Sequence, residues 1–140
     1  MKNLPDAARW APLHRRAIAI LIMASFAAPA AAQDARMVAQ AMRDYAAVVG
    51  GVHLNERCHF LDPGKTAAFG EQMQAIRTAL FLDERSQRMA GLLEDAAREE
   101  AASDKYAACD DAAKLIVDAS STHAHNWSTE IAKLQAAGIR

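Results

Sequence analysis

The sequence predicts an all-α protein, a small four- to five-helix bundle stapled by one disulfide and preceded by a signal peptide. Three observations lead there. Residues 33–140 contain 23 alanines and a single proline, Pro63, and alanine has the best helix propensity while proline has the worst. Apolar residues recur in that stretch at three- and four-residue steps, with no alternating β-branched run bounded by turn pairs. Residues 1–32 follow the export pattern, and the two cysteines beyond them, Cys58 and Cys109, are the number one bridge needs. A chain of 140 residues holds one domain, here 33–140 after a signal peptide at 1–32.

Within residues 1–32 a basic stretch ends at His14-Arg15-Arg16, and an apolar run covers 17–28. Pro29-Ala30-Ala31-Ala32 then places small residues before Gln33, where cleavage is expected. The apolar run falls well short of the roughly 20 residues that span a bilayer. Arg15-Arg16 followed by Ala17-Ile18 loosely resembles a twin-arginine signal, without the usual polar residue before the pair or Phe-Leu-Lys after it. No cysteine follows the run, so no lipid anchor is expected at this position. The predicted location is the periplasm or the medium, with no membrane association after cleavage.

The whole chain has a formal net charge of -1, but residues 1–32 carry Lys2, Arg9, Arg15 and Arg16 against Asp6 alone. The remainder therefore holds 12 basic and 16 acidic side chains, with only six aromatics: Tyr45, Phe60, Phe69, Phe81, Tyr106 and Trp127. An acidic balance with so few aromatics argues against nucleic acid and anionic membrane surfaces as partners.

In an oxidising compartment the even cysteine count predicts that Cys58 is bonded to Cys109. Closing a loop of about 50 residues removes denatured-state entropy worth roughly 4 kcal/mol in the chain-entropy model. No C-x-x-C or C-x-x-C-H occurs, so neither a thioredoxin-type site nor covalent haem attachment is expected.

The first helix is predicted over 34–49, with Met37, Ala41, Tyr45, Val48 and Val49 on one face, ended or bent by Gly50-Gly51. Residues 52–61 read as a short helix or turn carrying Leu54, Cys58 and Leu61. Asp62-Pro63 is the clearest start signal, a capping Asp followed by Pro at the first helical position, and Phe69, Met73, Ile76 and Leu80 form the stripe that follows. Asp83 is placed to cap a helix over 84–102 with Met89, Leu92, Leu93, Ala96 and Ala97 inward, unless that helix continues from the preceding one. Ser103 or Asp104 starts a further helix to about Ser120, with Tyr106, Cys109, Ala113, Ile116 and Val117 inward. After Ser120-Ser121-Thr122 and the His123-Ala124-His125-Asn126 turn, Trp127, Ile131 and Leu134 mark a last helix ending near Gly138.

Four histidines follow the signal, His53 and His59 flanking Cys58, and His123 and His125. If the bridge draws the two pairs to one end of the bundle, they form a candidate zinc or copper site, with Asp62 or Asp118 as a further ligand. The spacing matches no zinc motif, and solvated or capping histidines are the alternative. Met37, Met42, Met73 and Met89 have the thioether chemistry of Cu(I) carriers but are spread over three helices, three of them on apolar stripes, which fits core filling. Glu94, Asp95, Glu99, Glu100, Asp104, Asp110 and Asp111 lack the EF-hand pattern. They read as a solvated face, with Glu94–Arg98 and Glu84–Arg88 as four-residue pairs.

No G-x-S-x-G, P-loop, H-E-x-x-H or glycine-rich cradle is present, and Cys58 beside His59 is expected to be oxidised rather than nucleophilic. The chain is therefore not expected to be an enzyme.

An exported chain of this size, with one helical core and two cysteines about 50 residues apart, resembles in architecture the acid-stress periplasmic chaperones of the HdeA type. That family carries a Trp-x-Cys setting at its first cysteine, whereas Asn55-Glu56-Arg57 precede Cys58 here, so no residue role transfers. Three functions follow as expectations. The first is a non-catalytic protein-interaction or accessory module, for which exposure of Val38, Met42 or Phe81 beside other apolar residues is the marker. The others are a histidine-based metal carrier or sensor and an acid-responsive chaperone.

Overall fold

A computed structural model describes residues 27–139 of the chain. Most of the expected signal peptide, residues 1–26, lies outside the described residues, and the expected cleavage point before Gln33 falls within the first helix. The described residues are all-helical: α1 Ala27–Cys58, α2 Pro63–Leu80, α3 Glu84–Ala102, a 3-10 turn Asp104–Tyr106, and α4 Asp111–Ala136. Cys58 and Cys109 form a disulfide, with their Cα atoms 5.5 Å apart.

The chain divides into two units, Met1–Gln40 and Ala41–Arg140. In the first, the described residues are the opening turns of α1, and residues 32–40 are exposed throughout. In the second, the rest of α1 buries one broad face, through Tyr45, Val48, Val49, Val52, Leu54 and Asn55, while Arg43, Ala47, Glu56 and Arg57 are exposed. Tyr45, Val48, Val49, Val52 and Asn55 follow the three- and four-residue steps of one helical stripe, and Gly51 and Leu54 widen it.

One core cluster joins Tyr45, Val48 and Val49 to Phe69 and Ile76 of α2, Phe81 of the following turn, Ala90 of α3 and Ala124 of α4. A second, beside the disulfide, joins Leu54 to Ala101, Ala113 and Val117, with Cys58, Phe60, Leu61 and Tyr106 against it. Helices α2 and α4 run along each other.

Local chemistry sets the breaks. The Asp62 carboxylate accepts from the Lys65 N–H at 2.9 Å and Pro63 opens α2, as the sequence predicts. Asp83 and Ser86 form a reciprocal capping box, so α3 starts afresh instead of continuing α2. Asp110 caps α4 through the Ala113 N–H at 2.9 Å. The backbone N–H of Lys65 holds Asp62, and that of Ser86 holds Asp83, below the usual carboxylate range.

Buried Asn55 organises the α1–α2 connection. Its side chain accepts from the Leu61 N–H and donates to Thr66 Oγ1, both at 2.9 Å. His59 stops α1 by adopting the left-handed conformation, φ 55, with its N–H bonded to the Asn55 carbonyl at 2.7 Å.

Three predicted breaks differ from the structure. Gly50-Gly51 does not end α1, which continues to Cys58 and absorbs most of the short 52–61 element. Burial of Val48, Val49, Val52 and Leu54 outweighs the roughly 1 kcal/mol by which each glycine disfavours a helix interior. The helix expected from Ser103 or Asp104 is only a 3-10 turn, and Cys109, at φ 46, stands outside any helix. The 120–126 stretch does not interrupt α4: Ser120 Oγ donates to the Ala47 carbonyl and Thr122 Oγ1 to the Asp118 carbonyl, so both hydroxyls are satisfied in helical geometry. The described residues hold four helices, within the predicted four to five.

Candidate functional site

The widest departure from the predicted core is on α3. Met89 and Leu92, expected inward, are exposed, Leu92 at 67 %. Leu93 and Ala97 are half-buried as expected, Ala96 is exposed, and the fully buried positions are Ala90 and Ala101. On α4, Leu115 is 70 % exposed and Ile116, also expected inward, lies at the surface.

Between these two helices an apolar groove of about 380 Å³ opens onto α1. Ala46, Ala47, Gly50 and Gly51 form its floor, Leu93, Ala96 and Ala97 one wall, and Ile116 and Ser120 the other, with Leu54 and Tyr106 at one end. The two floor glycines differ. A Cβ on Gly51 would overlap the Ser120 side chain, so its bareness lets α4 approach α1, whereas nothing lies within 4 Å of a Cβ on Gly50. The space over Gly50 is open groove.

Across α1 from the groove floor, three helices meet at a polar triad that sequence patterning missed. Tyr45, wholly buried, donates its hydroxyl proton to Glu94 Oε1 at 2.5 Å, and Arg77 Nε donates to the same oxygen at 2.8 Å. Burial, reinforced by the bond to Glu94, pushes the Tyr45 phenol well above its ordinary range. Burial acts to raise the Glu94 carboxyl, but the bonds from Tyr45 and Arg77 prevail and hold it below the usual range. The predicted Glu94–Arg98 pair is therefore replaced: Arg98 pairs with Asp95, while the exposed Glu84–Arg88 pair forms as expected. The available signal was position, since Glu94 falls four residues after Ala90 and three before Ala97, on the buried stripe.

The four histidines of the expected metal site are not gathered. His53 is half-buried with Nδ1 2.7 Å from Glu56 Oε2. His59 is exposed at the end of α1. Because α4 is unbroken, His123 and His125 leave it on different sides, His123 with its ring 5.5 Å from that of Trp127 and His125 with Nδ1 3.3 Å from Gln72 Nε2. Among the described residues no group of three or more His, Cys, Asp or Glu side chains is placed to hold a metal ion. Asp62 and Asp118, the additional ligands considered, instead pair with Lys65 and Lys114.

A second depression lies at the end of α1, lined by His53, Glu56, Arg57 and Arg98. Its polar groups are engaged: one Arg57 nitrogen donates to the carbonyls of Ala101 and Ser103, both at 2.9 Å, His53 meets Glu56 and Arg98 meets Asp95. Arg57 thereby satisfies carbonyls left open at the C-terminus of α3.

Of the residues whose exposure marks an interaction surface, Val38 is 57 % exposed beside Met37, Met42 packs against the core, and Phe81 is buried. Among the described residues no helix is long and apolar enough to cross a membrane. In comparison with known proteins, the chain has no significant match to a family model, a curated protein or a solved structure.

Proposed function

We propose that this protein is an exported, non-catalytic interaction module whose α3–α4 groove receives one helical segment of a partner protein. The observation that carries this reading is the open, small-residue floor at Ala46, Ala47 and Gly50. Packed helices lie about 8–10 Å apart, and only small side chains on one of them allow the nearer approach. The groove's span along α1, from Ala46 on the floor to Leu54 at one end, matches about two turns of a docked helix. The same two helices also expose Met89, Leu92 and Leu115, apolar surface of the kind an interaction partner covers. The Cys58–Cys109 bridge supports export, because such bonds persist in oxidising compartments.

Site-specific photo-crosslinking in cells producing the full chain tests this. A crosslinker at Ala47 is expected to capture one discrete protein through a helical, apolar peptide, and Gly50→Trp, which fills the groove, is expected to abolish the adduct while the chain stays folded. A crosslinker at Ala75, on the exposed side of α2, gives no such adduct. Equal adducts from both positions, or a crosslink to a second copy of the chain, would overturn the reading.

A further inference from the structure

We propose that Glu94 is the latch holding the middle of α3 against the bundle, so that neutralising its carboxylate loosens α3 and widens the groove while α2 and α4 stay packed. The consequence for the groove rests on the function proposed above; the latch itself does not.

The apolar hold on α3 is weak. Helix α2 puts Phe69, Met73, Ile76 and Leu80 into the core, whereas α3 contributes Ala90, Leu93, Ala97 and Ala101. Buried apolar area sets the hydrophobic contribution, so three methyl groups and one leucine hold far less than four large side chains. The start of α3 carries the capping box of Asp83 and Ser86, local to its own first turn, and its finish is tied to α1 by Arg57 on the Ala101 and Ser103 carbonyls. Between these ends, among the described residues, the long-range side-chain hydrogen bonds are those of Glu94, which ties α3 to Tyr45 of α1 and Arg77 of α2 through a single oxygen. Leu93, the residue before the latch, lines the groove together with Ala96 and Ala97. Movement of the middle of α3 therefore moves one whole wall.

The groups that face Glu94 are Tyr45 from α1, Arg77 from α2 and Arg98 from α3 itself. Helix α4 adds Ala124, Trp127 and Ile131 to the same core, none of which titrates in acid. Protonation removes the attraction for Arg77 and weakens the acceptor for Tyr45, leaving a buried phenol and a guanidinium with a poorer partner. The folded carboxyl titrates below its unfolded value of about 4.3. The latch is thus intact at neutral pH and lost as pH falls through the folded value.

Hydrogen exchange on the full, oxidised chain tests this without any partner. Glu94→Gln at neutral pH, a neutral mimic of the protonated acid, is expected to speed exchange of α3 amides between 87 and 99 by roughly ten- to a hundredfold, the equilibrium equivalent of a lost charge-assisted hydrogen bond. Amides of α2 and α4 should change little, and Arg77→Gln should reproduce the pattern. If Glu94→Gln does not fold, the wild-type chain is followed from pH 7 to 3 with intrinsic rates corrected, and α3 is expected to lose protection before α2 and α4. Uniform acceleration of all four helices, or an α3 indifferent to both substitutions and to acid, would overturn the latch. A confirmed latch together with absent crosslinks at Ala47 would instead reject the groove as a docking site.

Discussion

Gly51 of α1 and Ser120 of α4 meet with no room for a side chain between them: a Cβ on Gly51 would overlap Ser120 and stand 3.2 Å from the Phe69 ring. Ser120 also donates its hydroxyl to the Ala47 carbonyl, one turn earlier on α1. A bare backbone and a short hydroxyl thus set how closely these helices approach, and that spacing fixes one side of the groove.

The adjacent glycines should respond in opposite directions. Gly51→Ala is expected to destabilise the fold by about 1–3 kcal/mol through overpacking. Gly50→Ala is expected to stabilise it by about 0.5–1 kcal/mol, because helix propensity improves and the new methyl points into open space. Urea midpoints of the two variants, measured beside the wild type, check both signs.

Reduction of Cys58–Cys109, or its replacement by Cys58→Ala with Cys109→Ala, is expected to lower stability by about 4 kcal/mol in the chain-entropy model, given a sequence separation of 51. The second core cluster sits against this bridge, so the signals of Leu54 and Val117 should broaden first when reduced protein is followed by nuclear magnetic resonance.

Asn55→Ala removes both halves of the α1–α2 clamp and leaves the Leu61 N–H without its acceptor. The expected cost is about 1–3 kcal/mol, with faster exchange at the Leu61 amide as the local signature.

His59 holds a left-handed conformation that glycine adopts without a Cβ penalty. His59→Gly is expected to raise stability by about 1 kcal/mol, read as an upward shift of the thermal midpoint. Since the histidines are not gathered, zinc uptake measured by calorimetry should be the same for this variant as for the wild type.

Acid should destabilise the fold in one window. Glu94, Asp62 and Asp83 all titrate below their ordinary range in the folded chain, so their contributions are present above the unfolded carboxylate values near 4 and disappear as pH falls through the lower folded values. Circular dichroism from pH 7 to 2 is expected to stay flat until about pH 4 and then decline. A midpoint well above the carboxylate range would contradict this assignment.

The sequence by itself determined the class and its punctuation. An alanine-rich, nearly proline-free stretch with helical periodicity cannot be read as sheet. Asp62-Pro63, Asp83 and the pairing of Cys58 with Cys109 are local or arithmetic signals that depend on no neighbour. Tertiary structure decided what local propensity opposed: burial carried α1 through Gly50-Gly51, and the Ala47 carbonyl accepted the Ser120 hydroxyl that otherwise reads as a break. It also decided which side of the apolar stripe faced inward on α3. On α3 the alanines fill the narrow space beside α1, leaving Leu92 and Met89 outside, and Glu94 turns in to meet Tyr45 and Arg77. A stripe fixes that some face is buried; which residues lie at its centre depends on the neighbouring helices, and those lie far away in the chain.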